Sequence, residues 1–240
     1  TTAPIAGQRS GDLNVGADGT AAQTLQTGDS TTGYTTTVTV VHPDGATTTT
    51  VPIAGTPIGS VQVGADGTAA QTARTGDSSG GYTTTVTVVH PDGTTTTVPI
   101  AGDSSYYGVQ VGADGTAAQT TQTQDSSGGY TTTVTVVHPD GTTTSAPIAG
   151  RLAGGVQVGA DGTAYQTTYT WSSTTGYTTT VTAVHPDGTT TTSAPIGGGT
   201  PYNGVQVGAD GTAYQTTVTG NITTVTAVHP DGTTTTSAPI

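Results

Sequence analysis

The chain has 240 residues, of which 64 are threonine, 37 are glycine and none is cysteine, and only 8% are charged. Its fifteen aspartates and three arginines give a net charge of -12, which argues against nucleic acid as a partner because a phosphate backbone would be repelled. Glu, Lys, Met and Phe are also absent, so most strong helix formers are missing and a β-branched residue dominates. This composition predicts an all-β protein.

The first predicted element is the N-terminal segment TTAPIAG, which matches the TSAPI ending at residues 236–240. Residues 1–12 are therefore expected to be an extra outer strand and a linker. A surplus strand can pair with the sheet edge of another molecule, and repeated head-to-tail pairing builds a fibre. The alternative is that the chain is a piece of a longer repeat array. The candidate strand-exchange residues are Thr1, Thr2, Ala3, Pro4 and Ile5.

After this segment, a motif VGADGTA recurs five times and divides residues 13–240 into repeats of about 48 residues. Within the fourth repeat, GVQVGADGTAYQTTYT predicts two short strands around a turn. GYTTTVTAVHPDGTTTTSAPI predicts two longer strands around another turn. Each repeat is thus expected to be a four-stranded antiparallel unit. The predicted repeats are 13–60, 61–108, 109–155, 156–204 and 205–240.

The repeated tetrapeptide HPDG is either part of a metal-binding or catalytic site or a structural turn, because histidine and aspartate serve both as metal ligands and as catalytic residues. We interpret it as a hairpin connection, since Pro, Asp and Gly occupy the positions that a tight turn favours. Each turn supplies a single aspartate, and equivalent histidines belong to different repeats, so neither a metal nor any other cofactor is expected. The five histidines are His42, His90, His138, His185 and His229.

Catalysis is not expected either. A Ser-His-Asp site needs one unique constellation, whereas this chain repeats its histidine in every turn. Glu, Cys and Lys are missing as a tuned acid, nucleophile or amine. The sequence therefore predicts that the protein is not an enzyme.

Four antiparallel strands repeated five times with Gly- and Pro-rich joints are typical of β-propeller blades. A tandem array of immunoglobulin-like domains would need about 100 residues and about seven strands per domain. A parallel β-helix would have shorter coils without two Asp-Gly hairpins in each period. We therefore predict a β-propeller of five four-stranded blades, with the surplus outer strand at the N-terminus.

The stretches GVQVGADGTAYQTT and TVTAVHPDGTTTT also carry a resemblance. They are similar to an NHL-type propeller blade, which has a Gly-Val opening strand, an Asp-Gly-Thr turn and a Pro-Asp-Gly turn before the outer strand. They resemble even more closely the Thr-rich repeats of secreted actinobacterial surface proteins. The resemblance covers nearly the whole chain, and it implies a propeller fold but no activity.

Function is expected at the end of the propeller opposite the Asp-Gly turns, because the joints there vary from repeat to repeat and recognition usually resides in such loops. Aromatic side chains in these joints could stack on sugar rings, which keeps a lectin-like role open as an alternative. The candidate ligand or partner residues are Trp171, Tyr106, Tyr107, Tyr202, Arg74 and Arg151. Separately, the sequon Asn-Ile-Thr makes Asn221 a candidate for glycosylation.

Taken together, these patterns predict a non-catalytic structural or adhesive module that is extracellular or on the cell surface. Zero cysteine and the lack of redox-sensitive residues suit an exposed location. No apolar run is long enough to span a membrane. The expected partners are further copies of the chain, in a homopolymer, or surface glycans.

Overall fold

The computed structural model describes residues 8–76, 81–102, 107–197 and 199–240. Within these ranges the chain forms 22 β-strands in five antiparallel sheets. The strand-exchange residues Thr1, Thr2, Ala3, Pro4 and Ile5 lie outside the described residues, as does Tyr106.

Each sheet is one blade, and its strands pair in the order in which they follow along the chain. The first blade consists of β1 (Gln8–Val15), β2 (Ala21–Asp29), β3 (Gly33–Val41), β4 (Thr47–Thr49) and β5 (Ile53–Ala54). The second consists of β6 (Thr56–Val63), β7 (Ala69–Gly76), β8 (Tyr82–Val89) and β9 (Thr95–Ala101). The third consists of β10 (Gln110–Val111), β11 (Ala117–Gln124), β12 (Tyr130–Val137) and β13 (Thr143–Ala149).

The fourth blade consists of β14 (Arg151–Val158), β15 (Ala164–Ser172), β16 (Gly176–Val184), β17 (Thr190–Thr192) and β18 (Ile196–Gly197). The fifth consists of β19 (Thr200–Val207), β20 (Ala213–Thr219), β21 (Ile222–Val228) and β22 (Thr234–Thr236). In the first and fourth blades the outer strand is interrupted, so β5 and β18 continue the pairing that β4 and β17 begin. The predicted fold, an all-β propeller of five four-stranded antiparallel blades, is confirmed.

The blade boundaries differ from the predicted repeat boundaries. Residues 8–12, expected to be linker, form the first part of β1, and Thr56, Arg151 and Thr200 begin strands several residues before the predicted repeats. The reason is a register shift inside each of these first strands, which breaks the alternating pattern that predicts a strand. A residue with positive φ lies at each shift: Gly11, Gly59, Gly154 and Asn203.

The two Asp-Gly motifs of each blade form the hairpin turns that the sequence predicts. In the first blade, the Gly45 N–H donates to the His42 carbonyl at 2.9 Å, and the Gly19 N–H donates to the Gly16 carbonyl at 3.1 Å. The turn glycines all have positive φ, a conformation that side chains disfavour. They are Gly19, Gly45, Gly67, Gly93, Gly115, Gly141, Gly162, Gly188, Gly211 and Gly232.

The apolar core lies between successive blades rather than inside any one of them. The second and third strands of one blade supply one side of each core, joined by the outer strand in three of the four cores. Residues in or next to the first three strands of the following blade supply the other side. In the first of these cores, Val38 and Val40 pack against Val61 and Val89, and all four are fully buried. A blade therefore depends on its neighbours for stability, as expected for repeats too thin to fold alone.

Threonine and glutamine complete three of these four interfaces with buried hydrogen bonds. Thr24 Oγ1 donates to Gln71 Oε1 at 2.6 Å, and one repeat later Thr72 Oγ1 donates to Gln119 Oε1 at 2.7 Å. Thr167 Oγ1 donates to Gln215 Oε1 in the same way. Each glutamine side chain is at most 1% exposed, so the threonine hydroxyl removes the cost of an unpaired buried amide oxygen.

Candidate binding cleft

Both Asp-Gly turns of a blade lie at the same end of the propeller. In the fourth blade this is shown by the distance of 3.5 Å between Thr163 Oγ1, after the first turn, and His185 Nδ1, in the second. The turn histidines also contact the returning strand, with His185 Nε2 at 2.9 Å from Thr191 Oγ1. The HPDG histidine is therefore a hairpin residue with a local partner, in agreement with the turn interpretation.

The turn aspartates also have hydrogen-bond partners within their own turns. Asp140 Oδ1 accepts hydrogen bonds from the Thr142 backbone N–H at 2.9 Å and from its hydroxyl at 2.6 Å. These bonds stabilise the charged carboxylate and lower the pKa of Asp140 below its ordinary value of 3.8, with the Thr142 hydroxyl as the largest cause. No group of three His or Asp side chains placed to hold a metal ion occurs among the described residues.

Removing that hydroxyl gives a first testable prediction. In Thr142→Ala, the pKa of Asp140 should rise toward 3.8, and Thr189→Ala should leave it unchanged. Because the folded pKa lies below the unfolded one, the carboxylate stabilises the fold above pH 3.8, and this contribution is lost as the pH falls through the folded pKa. A ¹³C carboxyl titration by NMR measures the change. An unaltered Asp140 titration in Thr142→Ala would contradict the assignment.

At the opposite end, aromatic side chains line a cleft of about 500 Å³ between the third and fourth blades. We call this the aromatic cleft. Its wall is formed by Trp171 and Tyr169 from β15, Tyr177 from β16, Tyr130 from β12 and Arg151 from β14. Trp171 is 64% exposed, so its ring is available to a ligand. The volume lies within the range of about 300–1,000 Å³ that small-molecule sites occupy.

The local strand geometry explains how these rings meet. Tyr169 and Trp171 are two residues apart on β15, so their side chains share one face of the sheet. Trp171 pairs directly with Tyr177 on β16, and the rings of Tyr169 and Tyr177 make an edge-to-face contact with centroids 5.8 Å apart. The first three blades have Gly28, Gly76 and Gln124 in place of Trp171, so this surface is specific to the fourth blade.

A positive charge accompanies the aromatic rings. The guanidinium of Arg151 lies over the Tyr130 ring at 5.2 Å from its centroid, a cation–π contact that holds both side chains in the wall of the cleft. The Gly150 N–H donates to the Tyr130 carbonyl at 2.9 Å and anchors this corner to the third blade. The cleft therefore offers flat apolar surfaces beside one set of fixed hydrogen-bond donors.

The structure brings only some of the predicted site residues together. Trp171 and Arg151 share the aromatic cleft, and Tyr107 lines an adjoining hollow that also includes Tyr169 and Tyr177. Arg74 lies instead over Tyr82 in the second blade, 4.6 Å from the ring centroid. Tyr202, on β19, is 63% exposed and belongs to neither hollow.

Three cleft residues were not among the sequence predictions: Tyr130, Tyr169 and Tyr177. One available signal was the spacing of Tyr169 and Trp171, which places both on one face of a strand. The other was the tyrosine in the first or second position of the third strand in the first four blades. Only the pairing of Trp171 with Tyr177 shows that the two signals belong to one surface.

The candidate glycosylation residue lies at a hairpin tip. Gly220 and Asn221 form the two-residue connection between β20 and β21, with Gly220 at φ +60° as the first central residue of such a turn requires. Asn221 is exposed, so its amide is accessible, and its glycosylation stays a prediction.

In the described part of the chain, no helix has the length and apolar character needed to cross a bilayer.

No protein-family model and no curated protein sequence matches the chain. Among solved structures, it is similar to virginiamycin B lyase from Staphylococcus aureus, with 14% identity over 96% of this chain and 69% of that one and a TM-score of 0.48. A streptogramin B lyase shares 13% identity over 95% of this chain and 82% of that one, with a TM-score of 0.42. A mutant apocarotenoid oxygenase from Synechocystis shares 11% identity over 97% and 61%, with a TM-score of 0.44.

These neighbours correct one prediction. The exclusion of catalysis on sequence grounds is wrong, because the solved structures similar in architecture are named as two lyases and an oxygenase, and the fold therefore does not rule out an enzyme. At identities of 11–14% the likeness concerns the fold alone, and none of these activities is carried over to this chain.

Proposed function

We propose that this protein is a structural or adhesive repeat module, extracellular or on the cell surface, that binds carbohydrate in the aromatic cleft. The single observation that carries the binding role is the concentration of Tyr130, Tyr169, Trp171 and Tyr177 around one hollow of about 500 Å³. The other blades have glycine or glutamine where Trp171 stands, so the repeat itself does not require an indole there.

The chemistry of the cleft favours a sugar ring over other ligands. One face of a pyranose carries mainly C–H groups, which pack on the face of an aromatic ring, while its hydroxyls need hydrogen-bond partners at the edge. Trp171 supplies an exposed ring, and Arg151 supplies donors beside it. The net charge of -12 disfavours polyanionic ligands by long-range repulsion, so a neutral glycan is the class that fits best.

The location is supported by composition rather than by the cleft. A Thr- and Gly-rich chain without cysteine, lysine or methionine suits an exposed environment, and its repeats resemble those of secreted actinobacterial surface proteins. Strand exchange by Thr1, Thr2, Ala3, Pro4 and Ile5 stays a prediction, since these residues lie outside the described ranges.

Carbohydrate binding is tested by comparing Trp171→Ala with Tyr34→Ala on a glycan array, followed by calorimetry on the best ligand. Trp171→Ala should weaken binding about tenfold or more, the scale of a central tryptophan contact. Tyr34 is the second residue of β3, as Tyr177 is of β16, but it pairs with Gly28 instead of a tryptophan, so Tyr34→Ala should leave the affinity unchanged.

Both substituted side chains are exposed, so the variants should fold equally well. The proposal fails if the array shows no binding, or if the two variants lose the same affinity.

A further inference from the structure

The first blade presents an interface to solvent that is buried in every later blade. In the second blade, Val61 and Val89 of the core that faces the first blade are fully buried. Their equivalents one repeat earlier are Leu13, which is 56% exposed, and Val41, which is half-buried. We call this surface the rear face; its residues are Leu13, Val15, Ala21, Gln23 and Val41.

The fifth blade presents the opposite side of the same interface. In the fourth blade, Tyr165 and Ile196 pack on the next blade and are 1% and 8% exposed. The equivalent side chains of the fifth blade, Tyr214 and Ile240, are 42% and 80% exposed. We call this surface the front face; its residues are Tyr214, Thr216, Val225, Ala227 and Ile240.

The hydrogen-bonding groups of the two faces also match. Within the chain, Thr167 Oγ1 donates to Gln215 Oε1, and the Tyr165 hydroxyl donates to the Gly211 carbonyl at 2.9 Å. On the front face, the donors equivalent to Thr167 and Tyr165 are Thr216 and Tyr214. On the rear face, the acceptors equivalent to Gln215 and Gly211 are Gln23 and Gly19. Gln23 is half-buried, whereas the glutamine at this position in each of the other four blades is at most 1% exposed.

We propose that the front face of the fifth blade binds the rear face of the first blade in a second copy of this chain. Four interfaces of this kind already hold the molecule together, and the two terminal faces carry the apolar groups, donors and acceptors of a fifth. A copy of the chain is the matching partner because only it presents the other half. The two faces of one molecule are both open to solvent, so they do not cover each other.

The contact is head to tail and uses different surfaces on the two copies, so each added copy leaves one front face and one rear face free. Such an interface extends into a filament unless its rotation closes a ring. It is independent of carbohydrate binding, because none of its residues lines the aromatic cleft. Since each copy carries a charge of -12, added salt should strengthen the association by screening the repulsion.

Cross-linking at a matched pair of positions tests the proposal, since the chain has no cysteine of its own. Gln23→Cys and Thr216→Cys are made as separate single variants, mixed, and treated with a short bismaleimide. The mixture should give a covalent heterodimer whose yield rises with protein concentration and with salt. Either variant alone should give almost none, because Gln23 of one copy meets Thr216 of the other.

Three controls keep the result unambiguous. Thr49→Cys mixed with Thr234→Cys, two exposed outer-strand positions, should not cross-link. Adding Tyr214→Asp to Thr216→Cys should abolish the heterodimer while circular dichroism and the unfolding midpoint in dilute solution stay the same. Deleting residues 1–5 from both variants should leave the heterodimer intact.

Several outcomes would overturn the proposal. No heterodimer would show that the faces do not bind each other between copies. Cross-linking confined to a monomeric Gln23→Cys/Thr216→Cys double variant would show that the faces meet within one molecule. Loss of the heterodimer on deletion of residues 1–5 would assign self-association to strand exchange. Glycan binding by the parent chain is measured separately, so failure of either proposal is visible without the other.

Discussion

Replacing Tyr165 by alanine is expected to lower the free energy of unfolding by about 3–5 kcal/mol, the range for deleting a buried aromatic ring. The side chain is 1% exposed and packs with Val181, Val205 and Ala213 in the core between the fourth and fifth blades. Its hydroxyl donates to the Gly211 carbonyl at 2.9 Å. The substitution therefore leaves both a cavity and a carbonyl without its donor. Urea denaturation followed by circular dichroism measures the loss.

Two comparisons separate these causes. Tyr165→Phe keeps the ring and removes only the hydroxyl, so it should cost about 0.5–1.5 kcal/mol. Tyr214→Ala removes the equivalent ring from the fifth blade, where it is 42% exposed, and in dilute solution it should cost less than about 1 kcal/mol. If both variants lost the same free energy of unfolding, burying Tyr165 between the fourth and fifth blades would add nothing to stability, and this result would contradict the prediction.

The fold could be predicted from the sequence because its turns are explicit. Gly45 and Gly93 follow Pro-Asp, and the flanking residues alternate between threonine and valine. Strand length and hairpin position can therefore be predicted from neighbouring residues in the sequence. The first strands were harder to predict. Gly11 and Asn203 interrupt the alternation at register shifts, and pairing with the second strand extends each first strand beyond that point.

The interior of the interfaces could not be predicted in the same way. A glutamine in a strand rich in threonine is normally assigned to the solvent face, yet Gln119 is fully buried. Its environment comes from another repeat, since Thr72 donates to it from 47 positions away in the sequence. A sequence pattern within one blade does not contain that partner.

The candidate site shows the same division between local and distant information. Trp171 could be picked out because it is the chain's one tryptophan and stands near a variable loop. The contribution of Tyr130 could not, since it comes from another blade and depends on Arg151 reaching across to its ring. Chemistry shared between blades becomes visible only once the order of packing is known.

Gly115→Ala is expected to be among the most destabilising single-methyl changes in the chain. Gly115 has φ +86°, and a side chain there costs about 1–2 kcal/mol in backbone strain. An added Cβ would also overlap Asp66 Oδ2 and lie 2.7 Å from Thr68 Oγ1, both in the preceding blade. Forcing atoms into a filled contact costs about a further 1–3 kcal/mol, so the expected total loss is about 2–5 kcal/mol.

Gly45→Ala is the matched control, because Gly45 also has φ +86° but no atom lies within 4 Å of the added Cβ. It should show the backbone strain alone, about 1–2 kcal/mol. The difference between the two variants in urea denaturation then measures how tightly the second and third blades meet at their turns. Asp66 and Thr68 hydrogen-bond to each other at 2.8 Å, so neither can move away from the methyl group without losing that bond. If the two variants lost the same free energy of unfolding, the second and third blades would not be in contact at these turns, and the described packing between blades would be wrong there.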